Sequence, residues 1–107
     1  MQPAEFGPLS NGLKMAKFTV RVELHGSDSE NDYDTLHAFM KLEGFSRTIT
    51  DADGSVYDLP TAEYNYEGDQ TKSQVLKLAM RAAKHTGLEY SILVTRSAGR
   101  IWRNLDY

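Results

Sequence analysis

The sequence predicts an α+β domain whose elements run strand–helix–strand–strand–helix–strand. Three observations predict it. A strictly alternating segment, Lys17 to His25, comes first. Two stretches with apolar residues at helical spacing lie on either side of a central hairpin. The hairpin turns at Asp51-Ala52-Asp53-Gly54, where glycine supplies the positive φ that tight turns need. A chain of 107 residues is long enough for one modest core. The reading is therefore a single domain over residues 15–107, preceded by a flexible arm over residues 1–14 that is rich in proline and glycine and has no hydrophobic period.

In the first strand, Phe18, Val20, Val22 and Leu24 share one face; Thr19, Arg21, Glu23 and His25 share the other. Gly26 to Asn31 is polar, and Ser29 or Asn31 can cap a helix whose first turn is acidic at Glu30, Asp32 and Asp34. Tyr33, Leu36, Phe39, Met40 and Leu42 give the buried stripe, and Gly44 the left-handed stop. Phe45 to Thr50 reads as the second strand and Val56 to Tyr66 as the third, with Pro60 marking a bulge or an edge. Ala62, Tyr64 and Tyr66 share one face of its second half. Asp69 or Thr71 opens a second helix with Val75, Leu76, Leu78, Ala79, Ala82 and Ala83 as its apolar side, ending at Gly87. Leu88 to Arg96 is the last strand. This order is the split βαβ, or ferredoxin-like, arrangement: an antiparallel sheet in the order 4-1-3-2 with both helices on one face. The other face would be left open unless a partner covers it.

Composition narrows the function classes. The chain has no cysteine, so disulfides, thiolate nucleophiles and thiolate metal sites are excluded. It has no apolar run of membrane-spanning length and no secretory leader pattern, which leads to the expectation of a cytoplasmic protein without a membrane partner. The net charge of −3 conceals two unlike halves: about −10 between Glu23 and Asp69, and about +5 between Lys77 and Arg103. Such asymmetry suits an anionic partner at the basic end, or pairing of the two halves within the chain or across a homodimer.

Few residues form a chemical motif. Asp51, Asp53 and Gly54 begin like a calcium loop, but the twelfth position, which needs a bidentate glutamate, is Ala62, so the segment reads as a turn. His25, His37 and His85 lack metal-site spacing. His37 and His25 remain as proton-transfer candidates, because imidazole can activate an RNA 2′-hydroxyl near neutral pH. Arg96, Arg100 and Arg103 around Trp102 are the phosphate-contact candidates, and Tyr57, Tyr64, Tyr66, Tyr90 and Trp102 the aromatic surfaces a base could stack on. No glycine-rich phosphate loop or nucleophile elbow is present, and nothing calls for a cofactor.

The segment from Phe18 to about Val94 resembles the GhoS family, the small antitoxins of type V toxin–antitoxin systems. The likeness rests on the first strand, the helix ending in Phe39-Met40, the Gly44-Phe45-Ser46 step, the Asp51–Gly54 hairpin and the run Leu59-Pro60-Thr61-Ala62-Glu63-Tyr64. It implies a ferredoxin-like fold, similar to small CRISPR-associated ribonucleases and VapD-type nucleases, and an endoribonuclease that cleaves a toxin transcript, with RNA as partner. The acidic residue expected near the end of the first strand is out of register, since Leu24 and His25 follow Glu23, and the basic residue of the first helix falls at His37. Two classes stay open: an RNA-binding protein or endoribonuclease, and a non-enzymatic homodimeric interaction module built on the open sheet face or the last strand.

Overall fold

The computed structural model describes residues 15–106; the arm predicted over residues 1–14 lies outside them. Strand β1 spans Ala16–His25, helix α1 Glu30–Leu42, β2 Thr48–Thr50, β3 Val56–Asp58, β4 Glu63–Gly68, helix α2 Lys72–Ala83 and β5 Glu89–Arg96, with a 3₁₀ turn at Lys84–Thr86. The mixed α+β class, the two helices and the antiparallel pairing agree with the expectation.

Both helix starts follow from their caps. The Ser29 hydroxyl accepts from the Asn31 amide at 3.1 Å, and Thr71 exchanges bonds with Gln74 in a capping box. Gly44 (φ 97°) and Gly87 (φ 75°) take the left-handed conformations that end the helical segments.

The main sheet keeps the 4-1-3 part of the predicted order, because β5 is the predicted fourth strand and β4 the second half of the predicted third, but the predicted second strand does not complete it. The main sheet has three strands in the order β4-β1-β5, and β2 and β3 form a separate two-stranded sheet. The expected continuous strand from Val56 to Tyr66 is broken at Leu59–Ala62, where the Glu63 amide donates to the Pro60 carbonyl at 2.9 Å. Proline fixes φ and lacks a ladder donor, so the chain turns there and each half pairs with a different strand. The two sheets still touch, because Ser46 and Asn65 exchange both backbone bonds at 2.8 Å.

Registers assign the faces. Phe18, Val20, Val22 and Leu24 stand opposite Tyr66, Tyr64, Ile92 and Tyr90 on the inner face, beneath the helices. There they form one core with Leu36, Met40, Phe45, Val75, Ala79, Ala82 and Ala83. The alanines let α2 sit close to the sheet. His85 stacks on Phe39 with centroids 3.8 Å apart, and Arg81 makes a two-point bond to Glu43, together tying the end of α2 to α1.

The outer face is partly covered by the chain itself. Beyond β5 the tail folds back: the Asp58 amide donates to the Asp106 carbonyl at 2.7 Å. Trp102 packs edge-on against Tyr57 at 5.6 Å. Trp102 and Leu105 line a small cleft with Ile49 and Leu59, over Thr19 of β1. The expectation of a wholly open face is thus corrected. Among the described residues, Arg21, Glu23 and His25 of β1 and Ser91, Leu93 and Thr95 of β5 remain exposed on that face.

Candidate functional site

The candidate residues fall into three places. His37 lies on the inner side of α1, one position from the buried Leu36, and is half-buried. Its Nδ1 is 2.6 Å from the hydroxyl of Tyr64, which is wholly buried on the inner face of β4. The Tyr33 ring sits beside the imidazole at 6.3 Å, and its hydroxyl accepts from the Leu24 amide at 3.1 Å. Arg47 follows the helix stop; its guanidinium donates to the Leu59 carbonyl at 3.4 Å while its Nε is buried with no partner.

These surroundings set the charge state. Burial lowers the pKa of His37 below its ordinary 6.5, the nearby Arg47 cation lowers it further, and Asp34 opposes both. His37 is therefore a neutral imidazole at neutral pH. Burial raises the Tyr64 phenol above its ordinary range, so it remains a protonated hydrogen-bonding group. A neutral imidazole bonded at Nδ1 carries its basic lone pair at Nε2 only in the tautomer in which Nδ1–H donates to Tyr64.

His25 lies elsewhere. It ends β1 on the outer face, exposed, with Nε2 2.8 Å from the Ser91 hydroxyl of β5. Proton transfer at His25 and at His37 would therefore occur on opposite sides of the sheet.

The arginines gather at the other end of β1. Lys17, Arg96, Arg100 and Trp102 line a cleft of about 490 Å³, with Asp51 and Thr50 on its hairpin side. Arg100 is held in place by bonds from Nη1 to Asn65 at 2.7 Å and to Thr19 at 3.3 Å. Arg103 lies exposed on the tail and does not line this cleft. Tyr64 and Asn65 are successive residues of β4 and so point to opposite faces, which separates the His37 cluster from Arg100.

Asp51 does turn chemistry. Its Oδ1 accepts from the amides of Asp53 at 2.9 Å and Ser55 at 3.0 Å, and its Oδ2 accepts from the Tyr57 hydroxyl at 3.1 Å. Of the aromatic candidates, Tyr64 and Tyr66 are core groups: Tyr66 packs against Phe18 and Phe45. Trp102 alone among the five borders the cationic cleft.

The sequence singled out His37 as a candidate but not Tyr64 as its partner, nor Arg47 or Lys17. The signal for Tyr64 was present in its face parity and in the place of His37 at the edge of the helical stripe. Arg47 and Lys17 carried none, since only the folded chain sets their neighbours.

Fold and site together define a small α+β protein with an anchored neutral histidine beside an arginine, and a separate cationic cleft. A profile described as "Endoribonuclease GhoS" matches residues 11–98. The chain belongs to the GhoS family. No curated protein matches it.

Proposed function

We propose that the protein is an endoribonuclease that uses His37 for proton transfer, and that it acts as an antitoxin on a toxin transcript. The observation that carries the reading is the half-buried His37, anchored to Tyr64 and lying in the field of Arg47. The family's description as an endoribonuclease supports it from a separate direction.

The chemistry follows from the charge states. RNA carries its own nucleophile, the 2′-hydroxyl, so cleavage needs a base, a cation for the phosphorane and alignment. In the tautomer in which Nδ1–H donates to the Tyr64 oxygen, the His37 Nε2 lone pair takes the 2′-hydroxyl proton. The 2′-oxygen attacks phosphorus, the bond to the 5′-oxygen breaks, and the leaving oxygen takes up a proton from water, while the proton held on His37 returns to solvent. The products are a 2′,3′-cyclic phosphate and a 5′-hydroxyl. Arg47 offsets the charge that develops on phosphorus. Lys17, Arg96 and Arg100 hold more distant phosphates of the same strand in the separate cleft, and Trp102 stacks on a base there. Arg103 adds charge beside it.

The test is incubation of the full chain with a mixed-sequence RNA, with and without magnesium, followed by end-group analysis. Cleavage to 5′-hydroxyl ends that is abolished by His37→Ala, with RNA binding retained, is the expected result. Intact RNA with the wild-type chain overturns the reading. Loss of cleavage on His25→Ala instead of His37→Ala moves the chemistry to the outer face.

A further inference from the structure

We infer that β5 is a self-association edge, and that two copies of this chain pair through it in antiparallel fashion to join their three-stranded sheets into one sheet of six. The inference is independent of the nuclease reading. Among the described residues, β5 bonds only to β1, so its other edge presents unpaired backbone groups along eight residues. Proteins that keep such an edge solitary blunt it with lysine, proline, a bulge or a short length. Here the interior of β5 is Ser91-Ile92-Leu93-Val94-Thr95, with no charge and no proline.

Side chains on both sides of this edge point to the same partner. On the outer face Leu93 is 63% exposed, with only Ser91 and Thr95 beside it on its own strand. On the inner face Tyr90, Ile92 and Val94 are only half-buried although they pack against the core. Above them, α2 turns one flank to α1 through Arg81 and Glu43. Leu76 and Met80, one helical turn apart and each 36% exposed, lie on the opposite flank.

A second copy satisfies all of this at once. A two-fold axis perpendicular to the sheet keeps both helical layers on one side and pairs residues of like parity. Centring it on Leu93 sets Leu93 against its own symmetry mate, Ile92 against Val94, Ser91 against Thr95 and Tyr90 against Arg96. No like charges oppose each other in this register. Both α2 helices then flank the new junction, with Leu76 and Met80 turned toward it. Shifting the centre to Val94 would set Ile92 against Arg96 and Leu93 against Thr95, which loses the apolar matches.

The experiment uses the full chain and the absence of native cysteine. Light scattering over a concentration series is expected to show a dimer, and Leu93→Lys, a change at an exposed position, is expected to give a folded monomer. Leu93→Cys is then oxidised with copper–phenanthroline. Directly opposed strand residues lie within disulfide reach, so this variant is expected to form a covalent dimer. Ser91→Cys is expected not to link to its own mate, since four residues of strand, about 14 Å, separate the two. Mixing Ser91→Cys with Thr95→Cys is expected to restore the link. A wild-type chain that stays monomeric at all concentrations overturns the inference. A dimer that survives Leu93→Lys overturns it too, as does Ser91→Cys linking as readily as Leu93→Cys.

Discussion

The bond between His37 and Tyr64 makes a prediction that stability measurements alone can test. Tyr64→Phe removes the hydroxyl and leaves a ring of nearly equal volume. The His37 ring is half-buried and can turn its nitrogen to water, so the loss is about 1 kcal/mol. His37→Ala is costlier, because it strands a wholly buried phenol hydroxyl, which costs about 1–3 kcal/mol on top of lost packing. In the double variant that stranded group is gone, so the two effects are not additive. A double-mutant cycle by urea unfolding at pH 7.5 is expected to give a coupling of about 1–2 kcal/mol. By thermal melts, Tyr64→Phe lowers Tm by about 4–8 °C for each kcal/mol lost. The pH dependence adds a second readout. The folded pKa of His37 lies below its unfolded 6.5, so between the two the unfolded chain binds the additional proton. The stability due to neutral His37 is complete above about pH 6.5 and is lost as pH falls through the folded pKa. His37→Ala removes that part of the slope. Additivity of the two substitutions to within about 0.5 kcal/mol, or an unchanged slope, would refute the anchored-histidine argument.

Other expectations follow from separate parts of the structure. Lys17→Ala and Arg96→Ala each reduce the slope of log K against log salt for single-stranded RNA by about 0.7, read by fluorescence anisotropy; unchanged slopes would remove the cleft from the RNA path. Trp102→Ala costs about 1–3 kcal/mol through lost contact with Tyr57 and speeds hydrogen exchange at the Asp58 amide, which bonds the tail. An Asp58 amide as protected as in wild type would show that the tail is held without the indole. At Gly68 an added Cβ would lie 3.0 Å from Tyr66 Cε1 and 3.3 Å from its hydroxyl. Gly68→Ala is therefore expected to cost about 1–3 kcal/mol in a urea melt, and Tyr66→Leu in the same chain should recover part of it.

The sequence by itself determined the elements. Alternation made β1 a half-buried strand, and cap chemistry at Ser29 and Thr71 started the helices where they begin, because these signals act over a few residues. Gly44 and Gly54 ended or turned the chain for the same local reason. It also marked His37 as a proton-transfer candidate. Tertiary structure decided how the elements were used. Pro60 was legible as an interruption, yet nothing local said that the two halves of that segment would join different sheets. That choice depended on Val56–Asp58 pairing with β2, and on β1 accepting Glu63–Gly68. The fold also decided that the tail would return to Asp58 and cover part of the outer face, taking Trp102 and Arg100 with it. The site divides along the same line. A histidine's type and helical position are written in the chain, whereas its neutrality rests on burial, on Tyr64 at 27 residues' separation and on the field of Arg47, all of which exist only once the strands have paired.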